Sequence, residues 1–136
     1  MDWRNNLEYN LPERWVAEEN GDNLFIYNPD GEGAITISAY NIIDKNTPQI
    51  ETVHNLFEDF VAKNGISLDT PTAISHYVDS KLITTGTGRS CDQWFIKIWC
   101  ICQYHKILLA TYLTTKITEE ITMCDQLIYS MDLTLD

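Results

Sequence analysis

The fold of this 136-residue chain is decided by the stretch Gln93-Trp94-Phe95-Ile96-Lys97-Ile98-Trp99-Cys100-Ile101-Cys102-Gln103. The stretch predicts a β-strand, in which successive side chains point to opposite faces of a sheet. Its even positions form the natural core face, because all of them are apolar: Trp94, Ile96, Ile98, Cys100 and Cys102.

The odd positions of the same strand contain a second apolar set that includes one lysine. If helices cover only one face of the sheet, this set forms an exposed patch of the kind that binds partners. In the alternative arrangement both faces are covered, one by a helix and the other by the N-terminal segment. The first arrangement gives four candidate partner-binding residues: Phe95, Lys97, Trp99 and Ile101.

Further strand-forming segments flank this stretch on both sides. Residues with high strand propensity dominate five of them, at 24–27, 34–40, 74–78, 81–87 and 107–115. The sequence Asn28-Pro29-Asp30-Gly31 predicts a turn after the first segment. Because Gly86-x-Gly88 lacks the remaining residues of a phosphate-binding loop, we interpret it as a hairpin turn between two strands.

Two helices are predicted as well. The first spans about residues 48–64, since Thr47 suits the N-cap, Pro48 the first helical position and Gly65 the C-terminal stop. Its apolar residues fall on one face: Ile50, Val53, Phe57, Phe60 and Val61. The second helix spans about residues 118–131, with an apolar stripe of Ile121, Cys124, Ile128 and Met131.

The order of these elements predicts an α+β fold, in which an antiparallel sheet meander packs against the two helices. The length fits a single domain over residues 1–136, and neither a repeat nor a Pro/Gly/Ser-rich linker divides the chain. We expect residues 1–10 to be loosely ordered.

Two short motifs and the order of elements are shared with a known group of proteins. The motifs are Leu11-Pro12 with Trp15, and the turn Gly31-x-Gly33 leading into residues 35–38. With the helix, the strand meander and the C-terminal helix that follow, the chain resembles the PsbP-like superfamily. That group includes the photosystem-II protein PsbP, a Ran-binding nuclear-import factor, and bacterial DcrB-like and secretion-chaperone relatives. The resemblance implies a mostly non-catalytic, protein-binding role and transfers no site residue.

The charge of the chain argues against two classes of partner. Its net charge of −11 disfavours nucleic acid, whose phosphates are bound mainly by Lys and Arg, and it disfavours an anionic membrane surface. The strand region 80–116 is nevertheless basic, with five Lys or Arg residues against Asp92 alone. We therefore expect a polypeptide partner that contacts both the acidic outer segments and the mildly basic, aromatic sheet. This expectation fails if the strand lysines pair with acidic segments of this protein.

The cysteines and the N-terminus favour a cytoplasmic location. The first residues contain no apolar signal-peptide segment, and no stretch approaches the ~20 apolar residues of a membrane helix. Four cysteines are far too few for a disulfide scaffold, so we expect mostly buried, reduced thiols.

No catalytic, cofactor or metal motif is present. The three histidines, His54, His76 and His105, have no metal-ligand spacing. The adjacent carboxylate pairs Glu18-Glu19, Glu58-Asp59 and Glu119-Glu120 do not form acid–base dyads, because sequence neighbours point in different directions. We predict no cofactor and no metal, and we expect these carboxylates to be solvated.

Two functional hypotheses follow. The first is a non-catalytic protein-binding module of the adaptor, chaperone or toxin-neutralising type. The alternative is a small enzyme or ligand-binding protein that uses a pocket between sheet and helix, with Cys91, His76 or His105 as its reactive groups. A homodimer through a sheet edge or the aromatic face is compatible with the sequence, but no residue pattern requires one.

Overall fold

The computed structural model describes residues 3–41, 49–69, 74–78, 81–104 and 106–133. After a 3-10 turn at Trp3–Asn6, these residues form ten strands and two helices. The helices are α1 (Gln49–Lys63) and α2 (Glu120–Ser130). The strands are β1 (Leu7–Glu8), β2 (Val16–Asn20), β3 (Asn23–Tyr27), β4 (Gly33–Asn41), β5 (Ser67–Leu68), β6 (Ile74–Val78), β7 (Lys81–Arg89), β8 (Phe95–Gln103), β9 (Lys106–Thr114) and β10 (Asp132–Leu133).

Strand β8 lies inside an antiparallel sheet whose strand order is β2-β3-β4-β9-β8-β7-β5, with β6 also paired to β7. It pairs with β9 over its whole length, from Phe95 opposite Thr114 to Gln103 opposite Lys106. A separate two-stranded ladder joins β1 to β10. The predicted α+β fold, an antiparallel sheet packed by two helices, is confirmed.

Each face of the large sheet packs against one helix. On the α1 face, Val53 and Phe57 pack against the even residues of β8 and against neighbouring residues of β7 and β9. On the α2 face, Cys124, Leu127 and Ile128 pack against the odd residues of β8. The sheet is therefore the middle layer between two separate apolar cores.

The C-terminal end of α1 follows the sequence prediction. Gly65 adopts the left-handed conformation with φ 63°, and the N–H of Ile66 donates to the carbonyl of Val61 at 3.1 Å. The predicted N-terminal signals, Thr47 and Pro48, lie outside the described residues.

The apolar face of α1 is narrower than predicted. Val53 and Phe57 are buried and Phe60 and Val61 are partly buried, but Ile50 is 44% exposed. Ile50 lies in the first turn of α1.

The two glycines predicted to form a hairpin turn lie instead inside β7. A Cβ at Gly86 would approach the Phe57 ring to 2.7 Å, and one at Gly88 would collide with the Ser67 carbonyl oxygen of β5. Gly86 therefore permits close packing of α1 on the sheet, and Gly88 permits the close approach of β5, rather than a change of direction. The hairpin turn follows at Ser90–Trp94, where the Ser90 N–H donates to the Trp94 carbonyl at 2.9 Å.

The N-terminal segment, expected to be loosely ordered, is held by specific contacts from residue 3 onward. The side chain of Arg4 donates to the carbonyls of Gly21 and Asn23, at 2.9 and 3.0 Å. Leu7 is buried opposite Leu133 in the β1–β10 ladder. These contacts place residues 3–12 over the α2 face of the sheet.

Candidate functional site

The four predicted partner-binding residues do not form an exposed patch. Trp99 is fully buried, Phe95 and Ile101 are buried, and only Lys97 is partly exposed. Helix α2 and the N-terminal segment cover this face of β8, and α1 covers the opposite face of the same strand. Both faces of β8 are therefore covered, as in the second arrangement considered from the sequence, but α2 lies over this face in addition to the N-terminal segment. A partner would have to displace α2 to reach these side chains.

Asp125 on α2 binds two of these residues directly. Its Oδ1 lies 2.7 Å from the Lys97 ammonium and accepts a 3.0 Å hydrogen bond from the Trp99 indole N–H. The Lys97 ammonium also lies 5.4 Å from the centre of the Trp99 ring. The three groups form one mutually satisfied polar network, so the lysine and the tryptophan attach α2 to the sheet.

A second strand lysine also pairs within the protein. Lys81 is almost fully buried, and its ammonium donates to the carbonyls of Tyr129 and Met131 at 2.7 and 2.8 Å. It also lies 3.4 Å from Asp132. Positive charge at a helix C-terminus is stabilising, because it satisfies the last carbonyls and opposes the helix dipole. The sequence predicted that the strand lysines are available to a partner. For Lys81 and Lys97 this prediction is wrong, because both pair within the protein.

Glu120 is buried rather than solvated and attaches the β3–β4 turn to α2. Its carboxylate accepts hydrogen bonds from the N–H groups of Glu32 at 2.9 Å and Gly33 at 3.2 Å, and from the Tyr112 hydroxyl at 3.1 Å. Burial, reinforced by the charge of Glu120, raises the pKa of Tyr112. A side chain at Gly31 would collide with this carboxylate, so the Gly31-x-Gly33 motif serves packing.

The residues of the enzyme alternative are placed on different elements. Cys91 is exposed in the β7–β8 turn, beside Gly65 at the end of α1. His76 is exposed on β6, and its ring centre lies 5.7 Å from that of Tyr129. His105 lies outside the described residues. Across the described ranges, no three His, Cys, Asp or Glu side chains are grouped so as to hold a metal ion.

A histidine–hydroxyl chain that the sequence did not predict joins α1 to the sheet. The His54 Nε2 lies 2.7 Å from the Ser75 hydroxyl, which lies 2.8 Å from the Thr84 hydroxyl. Ser75 and Thr84 are cross-strand partners on β6 and β7. Sequence spacing placed His54 beside the buried face of α1, but only strand pairing brings the two hydroxyls to it.

The three buried thiols are unreactive in their environments. Burial raises the pKa of Cys100 to about 12, and burial together with nearby Glu120 and Asp125 raises the pKa of Cys124 to about 12. Burial also raises the pKa of Cys102. A thiol must ionise to act as a nucleophile, so these three cysteines serve as small apolar core residues.

Part of the α1 face is not covered by α1, which packs against β7, β8 and the neighbouring part of β9. On β3, β4 and β9 the same face presents a row of cross-strand neighbours. We call the following residues the open sheet surface: Phe25 opposite Thr36, and Tyr27, Ala34 and Leu113 side by side on three strands.

The open sheet surface is apolar and accessible. Leu113 is 36% exposed, Ala34 is exposed, and Phe25 and Tyr27 are half-buried. The Tyr27 hydroxyl donates to Glu18 at 2.9 Å, and this bond raises the pKa of Tyr27. The alternation of buried and partly buried side chains along β3 shows that the strand has two different faces. Only the position of α1 shows that the face with Phe25 and Tyr27 is not covered by a helix.

The fold is the PsbP-like fold, an α+β sheet with a helix on each face. The chain is similar to the solution structure of CyanoP, the cyanobacterial PsbP of Synechocystis sp. PCC 6803, at 12% identity and a TM-score of 0.70 over 97% of this chain and 89% of that chain. It is also similar to a mutant of the protein Mog1, at 9% identity and a TM-score of 0.63 over 97% and 93% of the two chains.

A third similar structure comes from Bacteroides thetaiotaomicron VPI-5482, at 13% identity and a TM-score of 0.55, and covers 96% of this chain and 46% of that one. Identities this low establish the fold alone. No protein-family model matches the chain, and no curated protein matches it in sequence. Neither helix in the described part is long and apolar enough to cross a membrane.

Proposed function

We propose that the protein is a non-catalytic protein-binding module of the adaptor, chaperone or toxin-neutralising type. The observation that carries this proposal is the open sheet surface, which contains Phe25 and Tyr27 on β3 and Leu113 on β9, with β4 between the two strands. Aromatic and aliphatic side chains grouped on an accessible sheet are typical of protein interfaces. The separation of Cys91 from His76 supports a binding role over the enzyme alternative.

The partner is a basic polypeptide. The net charge of −11 attracts positively charged proteins and accelerates their encounter, whereas it repels nucleic acid and anionic membranes. Apolar contact on the open sheet surface then provides affinity, as buried interface cores do.

The cytoplasm is the proposed location. All four cysteines are unpaired, and Cys91 is exposed. An exposed, unpaired thiol suits a reducing compartment, since it would be oxidised readily outside one.

The test compares two lysine substitutions at similarly exposed apolar positions. Leu113→Lys places a positive charge on the open sheet surface, whereas Ile50→Lys places one on α1. A partner is first captured with the immobilised wild-type protein and purified, and its affinity is then measured by calorimetry.

We expect Leu113→Lys to weaken binding by about tenfold or more, as for an interface contact worth at least about 1.4 kcal/mol, and Ile50→Lys to leave it unchanged. Equal affinities of the two folded variants would contradict the placement of the partner on this surface. Turnover of a substrate that depends on Cys91 or His76 would contradict the non-catalytic role.

A further inference from the structure

A groove runs between the N-terminal segment and α2, on the opposite side of the molecule from the open sheet surface. It consists of a cavity of about 450 Å³ beside one of about 280 Å³. Asn10 and Ser130 line both cavities, so the two lie next to each other. Their combined volume lies in the range of sites that hold small molecules or single side chains.

The larger cavity is acidic. Glu8 and Asp132 line it, and they are directly opposite each other in the β1–β10 ladder. Like charges in this position repel, because the two Cβ atoms of such a pair lie roughly 5 Å apart. The neighbouring residues of the ladder, Leu7 and Leu133, are buried, so both carboxylates point outward.

The repulsion between the two carboxylates is only partly neutralised by the protein. The Lys81 ammonium lies 3.4 Å from Asp132, but it also donates to two backbone carbonyls and is buried on the inner side. Among the described residues, no side chain forms an ion pair or hydrogen bond with the carboxylate of Glu8. A cation entering the cavity would therefore relieve the repulsion and gain a carboxylate partner.

The smaller cavity is more apolar. Leu11 and Pro12 line one side of it, and Met123 and Leu127 of α2 line the other. Met123 is 39% exposed, and a flexible thioether adapts to partners of different shape. An acidic cavity next to an apolar one favours an occupant with a basic group beside an apolar group.

We propose that this groove binds a peptide segment of a basic partner, with an arginine or lysine side chain between Glu8 and Asp132 and an apolar side chain against Met123 and Leu127. Charge complementarity carries the assignment, since both the cavity and the whole chain are acidic. The inference rests on the proposed protein-binding role but uses a different surface.

The test uses two peptides, each N-acetylated and C-amidated so that a single side chain carries any charge. One contains an arginine two residues from a leucine, and in the other citrulline replaces the arginine. Citrulline keeps the shape of arginine but is neutral. Binding to the wild-type protein, Glu8→Gln and Glu13→Gln is measured by NMR titration. Glu8→Gln removes a charge from the groove, and Glu13→Gln removes one from an exposed residue outside it.

We expect the arginine peptide to bind the wild-type protein about fivefold more tightly than the citrulline peptide, as for a charge pair that is accessible to water. Glu8→Gln removes this preference and Glu13→Gln retains it. Equal binding of the two peptides, binding of neither, or a preference that survives Glu8→Gln would overturn the inference. Leu113→Lys separates the proposed function from the proposed peptide groove. It is expected to weaken binding of the full-length partner on the open sheet surface and to leave peptide binding in the groove unchanged.

Discussion

The Lys97 ammonium lies 2.7 Å from the Asp125 carboxylate, which joins the central strand β8 to α2 across 28 residues of sequence. The same carboxylate accepts the indole N–H of Trp99. A lysine and a tryptophan that suggested an exposed binding face are therefore the residues that attach a helix over that face.

Replacing Asp125 with alanine is expected to lower the free energy of unfolding by about 2–3 kcal/mol. The substitution leaves the Lys97 charge and the Trp99 N–H without their partner in a largely buried place. Urea denaturation followed by fluorescence measures the change. Asp59→Ala is the matched control, because it breaks the exposed pair with Lys63 and should cost no more than about 0.5 kcal/mol. Similar losses in the two variants would show that the Asp125 network is not stabilising.

Glu120→Gln is expected to destabilise the protein by about 1–2 kcal/mol. The amide NH₂ group would replace one of the two carboxylate oxygens and would face the N–H donor of either Glu32 or Gly33, because each donor is bound by a different oxygen. Thermal unfolding of Glu119→Gln provides the comparison, since Glu119 is exposed and makes no side-chain capping hydrogen bond. We expect Glu119→Gln to change the free energy of unfolding by less than about 0.5 kcal/mol. If Glu120→Gln unfolds at the same temperature as the wild-type protein, the β3–β4 turn does not depend on this carboxylate.

Lys81→Met is expected to cost about 2–3 kcal/mol, because it leaves the carbonyls of Tyr129 and Met131 without their donor. Lys63→Met removes another lysine near a helix C-terminus, but Lys63 is exposed to water and should matter little. Hydrogen exchange at the C-terminal end of α2 should accelerate in Lys81→Met alone. Unchanged exchange there would contradict the capping role of Lys81.

The buried thiols make stability depend on alkaline pH. Burial raises the pKa of Cys100 from 9.0 to about 12, and the same is true of Cys124. The stabilisation from each raised pKa is complete below pH 9. It is lost between pH 9 and 12, because the unfolded chain ionises first. The free energy of unfolding should therefore fall with a slope of up to about 1.4 kcal/mol per pH unit for each thiol.

Denaturant titrations at pH 8 and pH 10.5 measure this loss. Cys100→Ala should show a smaller loss between the two pH values than the wild-type protein, whereas Cys91→Ala, at an exposed position, serves as the control. Thiol labelling gives a second check, with Cys91 reacting in the native protein and the other three only after unfolding. Parallel pH profiles for wild type and Cys100→Ala would contradict a raised Cys100 pKa.

Local patterns predicted the elements of this fold well. Apolar spacing and Gly65 located α1, and β-branched residues located β6, β7 and β9, because these signals depend on neighbours in the sequence. The error at Gly86 and Gly88 arose because a glycine signals either a turn or a close approach of another element. Only the positions of Phe57 over Gly86 and of Ser67 beside Gly88 distinguish the two.

The candidate site could not be predicted in the same way. The strand Phe95–Gln103 is apolar on both faces, which is compatible with an exposed patch or with burial beneath two helices. The pairing of Lys97 with Asp125 shows that this face is buried beneath a helix. The two residues are 28 positions apart, so no local pattern predicts the pair. The groove likewise needs β1 to meet β10, so Glu8 and Asp132 come together from opposite ends of the chain.

The α+β class, the approximate span of the helices and the acidic character of the protein could be read from the sequence, because composition and periodicity do not depend on how the chain folds. Two further properties follow only from the folded arrangement of the described residues: which half of a sheet face α1 leaves uncovered, and which charged side chains pair within the protein. Those outcomes depend on where α1 and α2 dock on the sheet. Docking is set by contacts between distant residues, such as Asp125 with Trp99 and Glu120 with Gly33, that no local pattern encodes.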